Sequence, residues 1–177
     1  MGKALKPTRN KSSDYLEPDC GVLTVRLQIN GTDREWRVRP GDYLLDVLRR
    51  EGYKSVKKGC ETGDCGTCTI LVDGQPALSC LMFAAQAHGR KITTVEGLGT
   101  PASPHPIQKA FADAGAVQCG FCIPGMILSA KALLDEVPEP NEQDIRRALD
   151  GNLCRCTGYV KQIEAVNLAA RILRKKG

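Results

Sequence analysis

The segment 60–68, CETGDCGTC, places three cysteines in one short loop, with four and then two residues between them. The loop is otherwise Glu, Thr, Asp and Gly. It offers almost nothing apolar to pack, so its thiols are not explained as small core residues. The chain has 177 residues and nine cysteines. That length suits one ordinary domain or two small ones, each with a modest apolar core that something else helps to hold together. Disulfides, structural zinc and an iron–sulfur site are the candidates. An odd cysteine count argues against a fully paired disulfide scaffold.

The fourth partner of the loop is expected to be Cys80, because a hairpin beginning at Cys68 brings the chain back beside it. The pattern is then C-x4-C-x2-C-x11-C over Cys60, Cys65, Cys68 and Cys80, the plant-type ferredoxin spacing for a [2Fe–2S] cluster, whose irons each need two thiolates. Gly59, Gly63 and Gly66 allow the backbone to wrap a cluster closely, by positive φ and by presenting no side chain to sulfide. Their amides are candidate donors to the sulfurs. A second quartet follows, Cys119, Cys122, Cys154 and Cys156, in the pattern C-x2-C-x31-C-x-C. Both of its pairs fall in breaks between helical segments, where unpaired helix-start amides can face an anionic cluster. C-x2-C pairs are also common in zinc sites. The C-x-C pair is tight for tetrahedral zinc, yet spacing alone leaves zinc open here.

Periodicity divides the chain. Residues 22–29 and 34–39 read as two antiparallel strands meeting at Asn30-Gly31, and 68–80 reads as a second hairpin around Asp73-Gly74. Between them, 42–52 has helical spacing, with Asp42 as a cap and Gly52 as a stop. Residues 91–97 look like an edge strand. A small mixed sheet with one helix across it is the economical packing. After the Gly- and Pro-rich run 97–108, strand signals vanish and four helical segments follow, a compact four-helix unit in which Asn141 caps a helix with Asp144 and Gly151 stands at its end. The expected organisation is a flexible N-terminal extension over 1–21, a sheet domain over 22–97 and a helical domain over 98–177. The net charge of +5 comes largely from Arg171, Arg174, Lys175 and Lys176. Without interleaved aromatic and basic residues, no nucleic-acid partner is expected. No export signal, transmembrane-length apolar run or nucleotide-binding glycine motif is seen, so a cytoplasmic protein without membrane insertion is expected.

The motif text GCETGDCGTC, SCL, VQCGFCIPGM and GNLCRCTGY closely resembles the small iron–sulfur subunit of the molybdenum hydroxylases, the xanthine dehydrogenase, aldehyde oxidoreductase and carbon monoxide dehydrogenase type. The resemblance runs over roughly residues 22–170. It implies an α+β chain: a β-grasp plant-type ferredoxin domain followed by an all-α four-helix [2Fe–2S]-binding domain, the second quartet holding a second [2Fe–2S] cluster. It also implies the role of electron-transfer subunit, between a large molybdenum–pterin subunit and a medium FAD-binding subunit. By the same resemblance, Gln118 hydrogen-bonds the pterin and Cys156 is the ligand that faces it. No residue is expected to act on an organic substrate. Two other readings use the same residues: a stand-alone two-cluster ferredoxin-like carrier, and a zinc-bound assembly subunit. Cys20 fits neither quartet. His88 and His105 are not needed as ligands, His105 reading as part of a helix start; Arg155 either offsets cluster charge or faces solvent; Met82 and Met126 belong to the core.

Overall fold

The structure, a computed structural model, describes residues 21–175. Cys20 and all of the expected extension except Gly21 lie outside the described residues. Strands β1 (Leu23–Ile29) and β2 (Thr32–Val38) form an antiparallel hairpin in the register Leu23↔Val38 to Ile29↔Thr32. Asn30 at φ 51° and Gly31 at φ 78° make the turn. Two consecutive positive φ values match the twist of the flanking strands, which is why Asn-Gly marks the place. Asp73 (φ 51°) and Gly74 (φ 86°) repeat the device between β3 (Thr69–Val72) and β4 (Gln75–Leu78).

The fifth strand, β5 (Lys91–Thr93), corrects an expectation. It is not at an edge: the sheet order is β2-β1-β5-β3-β4, with β5 parallel to β1 and antiparallel to β3. Ile92 is 1 % exposed between its neighbours. The strand is short and polar in sequence, and a single central apolar residue with distant partners leaves no local signal. Helix α1 (Leu44–Arg50) buries Leu44, Leu45, Val47 and Leu48 against this sheet together with Val25, Leu27, Trp36 and Ile70. Asp42 does not cap α1. Its carboxylate accepts from the Arg39 amide at 2.9 Å and shapes the preceding turn, while Gly52 at φ 100° follows the helix end as expected.

The second half carries α2 (Pro106–Asp113), α3 (Ile123–Glu136), α4 (Glu142–Leu149) and α5 (Val160–Arg174). They enclose a separate core that includes Ile107, Phe111, Met126, Ile145, Ile163 and Val166. His105 caps α2, its Nδ1 accepting from the Ile107 amide at 3.3 Å. Asn141 and Asp144 form the reciprocal capping box at α4, with Asn141 Oδ1 accepting from the Asp144 amide at 3.0 Å and Asp144 from the Asn141 amide at 3.1 Å. Gly151 follows the C-cap of α4 without left-handed geometry. A mixed sheet followed by helices makes the chain α+β. Helix α3 rests on β3 and β4, which sets the two cysteine regions side by side. Among the described residues no helix is long and apolar enough to cross a membrane.

Candidate metal centres

In the first loop the backbone folds around its own sulfurs. The Cys60 amide donates to Cys65 Sγ at 3.4 Å, and the Cys65 and Thr62 amides donate to Cys60 Sγ at 3.3 and 3.5 Å. Gly63 (φ +87°) and Gly66 (φ +69°) supply the left-handed turns. Gly59 is needed for space instead: a Cβ there would lie 2.8 Å from Cys65 Sγ and 2.6 Å from Thr67 Oγ1. The β3–β4 hairpin returns Cys80 to Cys68 as expected. Ser79 fastens the junction, its amide and hydroxyl donating to the Cys68 carbonyl at 3.4 and 2.8 Å. Hydrogen bonds from the Thr62 hydroxyl and amide, then from Cys65, draw the Cys60 thiol down to about 6. Burial, and then the neighbouring Cys68, push Cys80 up to about 11 against the Gly63 amide.

The second quartet sits where the loop before α3 meets the loop before α5. The Cys119 and Cys156 sulfurs are 3.5 Å apart at the surface. Cys122 is the N-cap of α3 and is buried beside Cys154. Burial, and then the Cys154 sulfur, push Cys122 up to about 12. For Cys154, burial acts upward, but the Thr157 hydroxyl and the Cys156 and Thr157 amides outweigh it and bring the thiol down to about 7. The loop is held by Tyr159, at φ 70°, whose hydroxyl accepts from the Cys154 amide at 2.7 Å.

The cysteines thus neighbour one another as Cys119 with Cys156, their sulfurs 3.5 Å apart, Cys60 with Cys65, each amide donating to the other's sulfur, Cys68 with Cys80, and Cys122 with Cys154. Two pairs per site are what two irons require, each taking two thiolates. The all-thiol donor sets and the room left by Gly59 fit a binuclear cluster better than one zinc ion. His88 stands apart, its Nδ1 accepting from the Arg26 amide at 3.2 Å. Gln118 and Arg155 are exposed, Glu61 pairs with Lys58 at 2.8 Å, and Asp64 accepts from Thr62.

The two regions are bonded to each other. The Leu153 amide donates to the Cys65 carbonyl at 2.9 Å, and Asn152 Nδ2 donates to the Gly66 carbonyl at 2.9 Å and to Thr69 Oγ1 at 3.3 Å. Sequence reasoning did not single out Asn152, Thr157, Tyr159 or Gln162. One signal was available for Gln162: it shares a helix stripe with Ala165, Val166 and Ala169, all buried, and a polar residue there must have a partner.

Two adjoining all-thiol sites are the donor sets of a two-cluster iron–sulfur protein, a carrier of single electrons. Residues 27–92 match the 2Fe-2S iron-sulfur cluster binding domain family and residues 94–167 match the [2Fe-2S] binding domain family. The nicotinate dehydrogenase small FeS subunit of Eubacterium barkeri is 49 % identical over 148 residues, covering 83 % of this chain and 94 % of that one. The xanthine dehydrogenase iron-sulfur-binding subunit of Escherichia coli O157:H7 is 45 % identical over 150 residues, covering 82 % and 92 %. Among solved structures, quinoline 2-oxidoreductase from Pseudomonas putida 86 superposes with a TM-score of 0.84 at 42 % identity, over 88 % of this chain and 98 % of that chain. The chain belongs to the small [2Fe–2S] subunit family of the molybdenum hydroxylases. Its role is that of an electron-transfer subunit of an oxidoreductase carrying two [2Fe–2S] clusters.

Proposed function

We propose that this chain connects a large molybdenum–pterin subunit to a medium FAD-binding subunit, with Cys60, Cys65, Cys68 and Cys80 holding one cluster and Cys119, Cys122, Cys154 and Cys156 the other. Bound there, each cluster supplies one-electron redox chemistry. The observation that carries this reading is the pair of complete thiol quartets joined by the Leu153–Cys65 hydrogen bond. The protein's part is to desolvate the inner sulfurs Cys68, Cys80 and Cys122, to donate amides to Cys60 and Cys65, and to hold the quartets adjacent. Gln118, Cys119 and Cys156 are exposed on one edge with Val117, Phe121 and Leu153, a mixed polar and apolar rim suited to a partner subunit. On that edge Gln118 can both donate to and accept from a pterin, with Cys156 as the facing ligand. The plant-type loop then faces the flavin side.

The fold reading belongs to the same proposal: a β-grasp ferredoxin unit over 22–97 and a four-helix unit over 98–177, with Val95 already packed on the second core. So does a cytoplasmic location, where eight thiols stay reduced for cluster assembly. The protein purified with its partners is expected to contain about four irons and about four sulfides per chain and to give two distinct paramagnetic signals on reduction. Cys65→Ser should remove one signal and leave the other. Bound zinc without visible charge-transfer absorption would overturn the assignment, and a chain that purifies and works alone would favour the independent carrier.

A further inference from the structure

Gln162, in the first turn of α5, is completely buried. Its Nε2 faces three acceptors: the Ala116 carbonyl at 3.2 Å, Thr157 Oγ1, and more distantly Cys154 Sγ at 3.9 Å. Its Oε1 is buried with no partner among the described residues. The orientation of this amide is dictated by chemistry: a carbonyl only accepts, so the group facing Ala116 has to be the NH2. One hydrogen goes to Ala116 and the other to Thr157. Thr157 Oγ1 lies 3.2 Å from Cys154 Sγ. With its oxygen already receiving a hydrogen from Gln162, the threonine hydroxyl directs its own hydrogen to the sulfur.

An orphaned buried acceptor is costly and calls for an explanation. Here the donor side supplies it. We propose that Gln162 and Thr157 form a donor relay, Gln162 N–H to Thr157 O–H to Cys154 sulfur, that raises the reduction potential of the centre held by Cys119, Cys122, Cys154 and Cys156. Thr157 touches the ligand; Gln162 is a positioning residue acting through it. The inference rests on the proposed assignment of that quartet. Reduction adds one electron and no proton, so negative charge on the sulfurs grows, and a hydrogen bond to sulfur stabilises the reduced form more than the oxidised one. The plant-type site is arranged differently: Thr67 Oγ1 is 3.3 Å from Cys65 Sγ but also has the Lys57 carbonyl at 3.4 Å to donate to, and the Thr62 hydroxyl beside Cys60 also has the Asp64 carboxylate to donate to.

The test is a redox titration of the full chain with both clusters in place, one electron passing from a mediator dye to each centre, followed by electron paramagnetic resonance. Thr157→Val should shift the one-electron equilibrium of the helical-domain centre about tenfold toward the oxidised form, 59 mV downward, and leave the plant-type centre where it was. Gln162→Leu should shift it the same way by less, and the double variant no further than Thr157→Val alone, because the glutamine acts through the hydroxyl. Thr157→Ser should restore the original potential. An unmoved potential in Thr157→Val, or equal movement of both centres, overturns the relay. Loss of the centre in both Thr157→Val and Thr157→Ala, but not in Thr157→Ser, would make the hydroxyl an assembly group and overturn it as well. Absence of the second signal in the unaltered chain is a different result, since it overturns the quartet assignment itself.

Discussion

Glu96 follows the central strand β5 and ties it to the segment after α1. Its carboxylate accepts from the Ser55 amide at 2.9 Å, from the Ser55 hydroxyl, and from the Thr94 hydroxyl at 2.6 Å. Burial works to raise its pKa, but these donors together win, and the group is held below its ordinary value of 4.5. A carboxylate depressed on folding contributes stability that is fully present above the unfolded value and is lost as pH falls through the folded one. Glu96→Gln is therefore expected to lower stability at neutral pH by about 0.5–1 kcal/mol, a modest figure because much of the side chain is exposed to water. The difference between the two proteins should close as pH falls below the ordinary value of 4.5. Denaturant unfolding at two pH values checks this; a gap that stays constant into acid would show that the charge on Glu96 is not what matters.

Helix α4 is an element whose start was readable from four letters. Asn141 and Asp144 close a capping box that satisfies two helix-start amides. Asn141→Ala should cost about 1 kcal/mol, seen as a lower thermal midpoint with the visible absorption of both centres unchanged beforehand. The hairpin turns were legible because Asn30-Gly31 and Asp73-Gly74 each have a chemistry that few local structures can use, and the spacing of the thiols is what the proposed quartets rest on. A strand at β5 was expected, but its central place was not legible, because that depends on β1 and β3, far away in sequence. Nor was the failure of Asp42 to cap α1, since an aspartate before a helix serves a turn at Arg39 equally well. Gln162 was hidden differently. In a helical wheel it is one polar letter on an apolar stripe, and its partners Ala116 and Thr157 come from separate loops.

At the scale of the whole molecule the two halves approach each other closely through backbone beside the cluster loop. A Cβ on Gly125 of α3 would lie 2.4 Å from the Gly66 carbonyl, and one on Gly66 would lie 2.1 Å from the Gly151 carbonyl. Close approach at these points lets Asn152 reach the Gly66 carbonyl and Leu153 reach the Cys65 carbonyl, so that ligand-bearing loops of the two quartets share a hydrogen bond. The consequence can be separated from ordinary helix energetics at Gly125. Within an isolated helix, Gly→Ala should stabilise by about 1 kcal/mol. Here the added methyl meets a carbonyl on a cluster loop that cannot retreat without stretching the Leu153 and Asn152 bonds, so Gly125→Ala should destabilise instead, by about 1–3 kcal/mol. It should also weaken the magnetic interaction between the two reduced centres, because the same displacement that relieves the methyl separates the loops. Thermal unfolding gives the first sign, and line splitting in the fully reduced protein gives the second. A stabilised Gly125→Ala protein with unchanged splitting would mean that the seam yields freely, and that the spacing of the two centres is set by contacts other than the Gly66–Gly125 approach.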